Sequence, residues 1–343
     1  MKDIKRLYWS DLLRIIAIFS VIVQHYCPLF FERKTSIDLL GWNVANVYDC
    51  LANWSVPVFI MISGMFFLNP DKSFSTKSFY LRNVLKIVVI IFVWGLFYEI
   101  IKQVLGFEQH TSFSGYFIPL FFKRLPWYHL WFMYLILALY MLVPVLRIYT
   151  AHATKRNLEY LLILFVLVSC IQTLDKLIPA LHFNIIELSG YVGYFIAGHY
   201  FSKYHFSKRQ AFFVYLLGLL SVVFRIVVCS EIWMKNGGSR IDVFDYLSPF
   251  IMVTSFAVFL FFKNNVSFKS VRVNKTITFV SSCVLGIYLL HGLCIAMLLR
   301  GGISPLFFNP VFSICVLSLL TFVLCFIVIV FIKKIPFISK YTV

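Results

Sequence analysis

The sequence is short of charge, and of acidic residues above all. Lys, Arg, Asp and Glu make up 13% of its 343 residues, and only 14 positions are Asp or Glu. An ordinary soluble domain carries roughly 25% charged residues, so a soluble globular fold of this size is excluded for want of polar surface. There is no P-loop, no GxGxxG, no CxxC pair and no His/Cys/Asp/Glu run with metal-ligand spacing. Each would have been a local sign of nucleotide, redox or metal chemistry, and no metal is expected. The chain also lacks an internal repeat of fixed period and any low-complexity linker. The eight cysteines fall mostly in apolar stretches and read as small packing residues. Cys27 and Cys50, near the same side, could pair, but nothing requires it.

What the sequence has in quantity is apolar surface. Hydrophobic residues are 61% and aromatic residues 19% of the chain, with 39 Phe and 19 Tyr, a composition suited to lipid contact and interfacial belts. A membrane span needs about 20 apolar residues. Spans are expected near 7–27, 44–68, 84–105, 128–148, 158–176, 187–202, 211–230, 247–263, 277–299 and 307–332. The chain therefore reads as an all-α, polytopic integral membrane protein, a single membrane-embedded domain over residues 1–343. The first run holds Asp11 and Arg14 and no small-residue cleavage site follows it, so it is expected to be a span rather than a cleaved signal peptide.

The charge that remains is basic, net +17. In a soluble protein that would suggest nucleic acid. Here the cations lie between apolar runs, so the bilayer is the expected partner and nucleic acid is not. With the N-terminus in the cytoplasm, 20 of the 31 basic residues fall in inside segments and 9 outside. The excess recurs at every inside loop, so both termini are expected to be cytoplasmic.

Ionisable groups within spans are costly and mark functional candidates. The first span carries Ser10, Asp11, Arg14, Gln24 and His25. Arg14 and His25 are eleven positions apart, which puts them within about 20° of one helix face and roughly 16 Å apart along it. Asp11 and Arg14, at i and i+3, could equally be a simple pair, and His25 could cap an interface. In Ser55–Gly64, Pro57 interrupts helix bonding and Ser63-Gly64 is a small pair; this reads either as broken backbone lining a cavity or as a packing kink against a close neighbour. Trp127–Phe132 resembles an aromatic belt that accounts for Trp131 but not for His129. Tyr288 and His291 close the apolar stretch Leu285–His291, and Arg225 lies within a span with no partner inside a helical turn. Glu99 and Lys102 read as an interfacial pair. His25, His129, Arg225 and His291 map towards the outer side, Arg14 and Ser63 towards the inner, a distribution that suits a charged donor taken from the cytoplasm and chemistry delivered outward.

These motifs, in order along most of the chain, resemble the acyltransferase family 3 integral membrane proteins. Tyr8–Ala17 is similar to the family's opening motif, and Arg14 and His25 to its Arg, ten residues, His signature. Val56–Gly64, Tyr128–Phe132 with Leu139, Tyr140 and Pro144, and Leu285–His291 resemble its second-, fourth- and ninth-helix patterns. Trp42–Val47 and the segment around Arg225 and Glu231 resemble the branch containing the O-acetyltransferase of enterobacterial common antigen. The resemblance implies a bacterial cytoplasmic-membrane enzyme that moves an acyl group, usually acetyl from acetyl-CoA, to a hydroxyl of a cell-envelope glycan or lipid-linked sugar. It implies Arg14 as a contact to the donor and His25 as the catalytic residue; Asp11 and Ser63 are further candidate donor contacts. A carbohydrate hydroxyl needs a general base, and imidazole suits that role; His25 could instead carry the acyl group. His129, Trp131, Arg225, Tyr288 and His291 are candidate oxyanion or acceptor contacts. A transporter or flippase of a glycan or lipid-linked sugar would also use Pro-broken helices and intramembrane charge, but no inverted repeat supports it.

Overall fold

The computed structural model describes residues 6–31, 39–106, 125–177, 190–235 and 244–335. Of the cations counted for orientation, Lys2, Lys5, Arg33, Lys34, Lys123, Arg124, Arg240 and Lys340 lie outside these residues. Every regular element described is helical.

The first helix, α1, runs Tyr8–Tyr26, followed by the short α2, Pro28–Phe31. Next come α3, Leu39–Ala52, and α4, Ser55–Phe67, one span broken at Asn53-Trp54. Pro57 stands in the first turn of α4, where its missing N–H is no loss. A five-residue π-helical turn, Tyr80–Val84, joins α5 (Thr76–Phe79) to α6 (Leu85–Val104). A 3-10 turn at Tyr128–Leu130 opens α7, Trp131–His152. Then follow α8 (Lys155–Leu177), α9 (Gly190–Lys203), α10 (Lys208–Lys235) and α11 (Pro249–Asn265). The chain closes with α12 (Val271–Ser281), α13 (Val284–Arg300) and α14 (Pro310–Lys333). Two of the later helix starts are capped by side chains: Ser270 accepts from the Val273 N–H, and Asn309, just before Pro310, from the Val311 N–H. Helix α13 ends in a Schellman arrangement, with Ile303 N–H bonded to Leu298 O and Gly302 at φ 78°.

Among the described residues, seven helical stretches are long and apolar enough to cross a bilayer, or eight if α12 and α13, bent by 51°, form one broken span. These account for eight of the ten expected spans. The other two expected spans are α9, with 14 residues, and α11, with 17. At 1.5 Å per residue they reach only about 21–26 Å, short of a hydrocarbon core of about 30 Å. Helix α9 lies in the middle of the bundle. A Cβ on Gly64 of α4 would land on the Phe195 carbonyl of α9, and one on Gly198 of α9 on the Met61 carbonyl of α4. Glycine lets the two backbones touch, the packing that replaces hydrophobic drive between helices in lipid.

Large apolar side chains such as Phe212, Leu219, Phe312 and Phe331 are exposed along α10 and α14. A soluble surface does not carry such continuous apolar faces, whereas lipid is their natural solvent. Polar ties gather the helix ends. At one end, Arg147 donates to the Phe67, Asn69 and Lys72 carbonyls, Lys263 to those of Phe201 and Tyr204, and Lys333 to Ser282 O at the α12–α13 bend. At the opposite end, Tyr48 donates to Val311 O, Arg300 to Leu105 O, and Lys176 pairs with Asp245. The loops that carry the basic excess thus meet at a single end of the bundle.

Candidate active site

The first helix starts at that basic end. Asp11, 2% exposed, is held there by Arg6 Nε at 2.7 Å, Arg14 Nη1 at 3.0 Å and the Ser281 hydroxyl at 3.0 Å. Through these bonds Asp11 positions Arg14 and ties α1 to α12. The Arg14 guanidinium lies 5.2 Å from the Phe66 ring centroid, and the Lys72 ammonium 4.8 Å from the same ring. Burial and the neighbouring Arg147 push the Lys72 pKa down from its ordinary value, as expected where cations crowd together.

Arg14 and Lys72 border a cavity of about 950 Å³. Ser63, Arg82, Asn83 and Arg147 also line its basic part, Phe59, Phe66, Phe132 and Ile136 its apolar part, and Tyr288 completes it. Ser63 itself donates to Phe59 O at 3.0 Å. The π-helical turn presents Arg82 and Asn83 here, and such single-turn insertions are frequent at functional sites.

Tyr288 leads to a cluster of three histidines. Its ring is 5.5 Å from that of His129 and 5.6 Å from that of His291, and its hydroxyl donates to the His129 carbonyl. His129 and His291 lie 4.6 Å apart between centroids, and His25 stacks on His291 at 5.1 Å. Tyr128 meets the His25 ring edge-on at 4.9 Å. Gly292 makes the cluster possible, since a Cβ there would strike the His129 ring. The break between α3 and α4 is tied to α1 next to His25: Gln24 is clamped by Asn53 and by the Ser55 hydroxyl at 2.9 Å.

The backbone fixes two tautomers. His291 Nδ1 faces Tyr288 O and His129 Nε2 faces Leu289 O at 3.4 Å. A carbonyl only accepts, so these nitrogens carry the protons. His291 Nε2 and His129 Nδ1 are then lone pairs, buried and without a hydrogen-bond partner among the described residues. In this state both rings accept protons; either would donate to an oxyanion only as an imidazolium. No group of three His, Cys, Asp or Glu side chains among the described residues is arranged to hold a metal.

The structure therefore brings His25, His129, Tyr288 and His291 together, and places Asp11, Arg14 and Ser63 at the basic end. Trp131 and Arg225 stand apart. Trp131 stacks on Tyr246 at 5.8 Å. Arg225 is 0% exposed and donates to Cys50 O at 2.6 Å, in the last turn of α3, where the helix breaks and its carbonyls lose their intrahelical donors. Glu99 and Lys102 do pair, at 3.5 Å. Cys27 and Cys50 are not joined in a disulfide. Sequence reasoning missed Lys72, Arg82 and Arg147 as cavity residues, because loop cations serve orientation equally well. It also missed Tyr98, whose ring is 5.5 Å from His129 and whose hydroxyl bonds Leu289 O at 2.6 Å. The small residue directly after His291 was the available signal for Gly292.

Among known proteins, the family model of the acyltransferase domain matches residues 7–330. No curated protein and no solved structure matches the chain.

Proposed function

Because this chain belongs to the acyltransferase domain family, and is thus a membrane acyltransferase, we propose that it moves an acetyl group from acetyl-CoA to a hydroxyl of a cell-envelope glycan or lipid-linked sugar, with His25 as general base. The observation that carries this reading is the cavity itself. It begins among Arg14, Lys72 and Arg82, runs past Ser63 and a phenylalanine-lined middle, and ends at Tyr288 beside the histidine cluster. A phosphorylated head with a long, weakly polar arm and a reactive end matches that gradient.

The proposed orientation puts both termini and the basic end in the cytoplasm of a bacterium, with ten crossings of its cytoplasmic membrane once α9, α11 and the bent pair are counted. The donor then enters from the side where acetyl-CoA is made. Arg14 contacts its phosphates by paired hydrogen bonds, while Asp11 holds the guanidinium in place. The acceptor arrives at the other end of the cluster. His25 takes the proton of its hydroxyl, the oxygen attacks the thioester carbonyl carbon, and a tetrahedral oxyanion forms. The C–S bond then breaks, the acyl ester is complete, and the thiolate leaves with the proton from the imidazolium. The branch with the enterobacterial common antigen O-acetyltransferase remains the nearest expectation for the acceptor.

Transfer itself is the test. Purified protein supplied with acetyl-labelled acetyl-CoA and a panel of envelope glycans is expected to leave alkali-labile label on one acceptor. Movement of a glycan across a vesicle membrane with no label on any acceptor would support the transporter reading instead.

A further inference from the structure

Beside the donor cavity lies a second one, of about 740 Å³, at the same basic end. Arg14, Phe66 and Lys72 line both cavities and form the wall between them. Three further cations, Arg6, Lys203 and Lys263, border the second cavity, against two carboxylates, Asp11 and Asp71. Not all of these charges are available. Arg6 is spent on Asp11, and Lys263 on the Phe201 and Tyr204 carbonyls. Arg14 also pairs with Asp11, which leaves Lys72 and Lys203, and five cations against two carboxylates still give the cavity a positive balance.

The wall contributed by α9 carries His199. It is 1% exposed, and neither ring nitrogen has a hydrogen-bond partner among the described residues. A buried imidazole with both nitrogens idle is costly unless something fills the site. The contact of Gly198 on the Met61 backbone fixes this turn of α9, and with it the place of the His199 backbone beside the cavity. The ring needs a ligand that accepts hydrogen bonds, and the surrounding cations need one that is anionic. A phosphate monoester meets both requirements.

We propose that this second cavity binds the 3′-phosphate-bearing nucleotide end of the acyl-CoA donor through His199, Lys203 and Lys72, while the pantetheine arm occupies the first cavity. The proposal rests on the donor being a CoA ester. The shared wall favours one bipartite molecule over a separate anion: Arg14 and Lys72 contact whatever lies on either side, and a donor bent around Phe66 satisfies both cavities at once. The same phosphate chemistry could come from an anionic lipid headgroup, and the experiment separates the two.

Calorimetry on the full-length protein in nanodiscs of zwitterionic lipid would compare CoA, 3′-dephospho-CoA and pantetheine. The native protein is expected to prefer CoA to dephospho-CoA by about tenfold or more, the scale of a charge-assisted contact. His199→Phe should abolish that preference and leave pantetheine binding unchanged, and His199→Asn, which keeps a donor, should restore part of it. Lys203→Gln, at an exposed position, should reduce the preference severalfold. A preference that survives in both His199→Phe and Lys203→Gln would overturn the assignment. So would equal binding of CoA and dephospho-CoA by the native protein, or nanodiscs containing phosphatidate displacing neither ligand from native protein but requiring His199 for their own binding. If the native protein binds neither CoA nor pantetheine, the donor reading fails and this assignment with it.

Discussion

Replacing His25 with Gln is expected to lower acyl transfer at least a hundredfold while donor affinity stays within about twofold of the native value. A general base contributes about 10²–10⁴-fold, and an amide cannot take up the proton at neutral pH although it can hydrogen-bond. The geometry separates the two measurements. His25 sits at the last turn of α1, stacked on His291 at 5.1 Å, while the cations that would hold the donor lie near the start of that helix. Arg14, eleven residues earlier, is about 16 Å away along the helix. Arg14→Lys should show the opposite split, weakening donor binding because an ammonium cannot reproduce the bidentate fork. Binding and turnover measured on the same purified variants decide the matter. Near-normal turnover by His25→Gln would make His25 a packing residue and move the base to His129 or His291, whose free lone pairs qualify them.

The second large effect concerns the scaffold. Gly64→Ala and Gly198→Ala are each expected to cut the yield of folded, monodisperse protein severalfold and to lower its Tm. Each methyl would be driven into a backbone carbonyl of the facing helix, Phe195 in one case and Met61 in the other. Backbone cannot rotate aside as a side chain can, so α4 and α9 must separate. Overpacking of a core costs roughly 1–3 kcal/mol, and more where the obstacle is rigid. Separation would also disturb both cavities, since Ser63 and Phe66 stand on α4 and His199 on α9. Gly302→Ala is the contrast. Its φ is 78° and open space surrounds it, so only the left-handed backbone is penalised, by roughly 1–2 kcal/mol. Size-exclusion profiles and thermal unfolding of the three variants test this; a Gly64→Ala protein with native yield and Tm would contradict the close packing.

Several of these features were legible in the sequence, for reasons that can be named. Apolar runs long enough to cross a bilayer are unmistakable, and seven of them stand as single stretches. The Arg14–His25 face followed from helical periodicity alone. The α12–α13 bend did not, because Val280–Val284 contains neither Pro nor Gly; the carbonyl it frees at Ser282 is satisfied by Lys333, 51 residues away. Periodicity also says nothing of which faces meet. That His291 and His129 would join His25, while Trp131 would turn to Tyr246 and Arg225 to the α3 carbonyl, depended on contacts between distant helices. His199 stands in an aromatic stretch, Tyr194–Phe201, with no motif around it to single it out. Only the cavity beside it and its two idle nitrogens distinguish it.

The central claim is that an acyl group enters at the basic end and leaves on an acceptor at the other. Sealed proteoliposomes, sorted for one orientation, permit a direct measurement. Acetyl-labelled acetyl-CoA is supplied only on the side of the basic end, and the acceptor glycan only on the opposite side. Labelled ester on the glycan, absent when donor and acceptor sides are exchanged and absent with His25→Gln, is the result expected. Label appearing only when both substrates share one side would contradict the account.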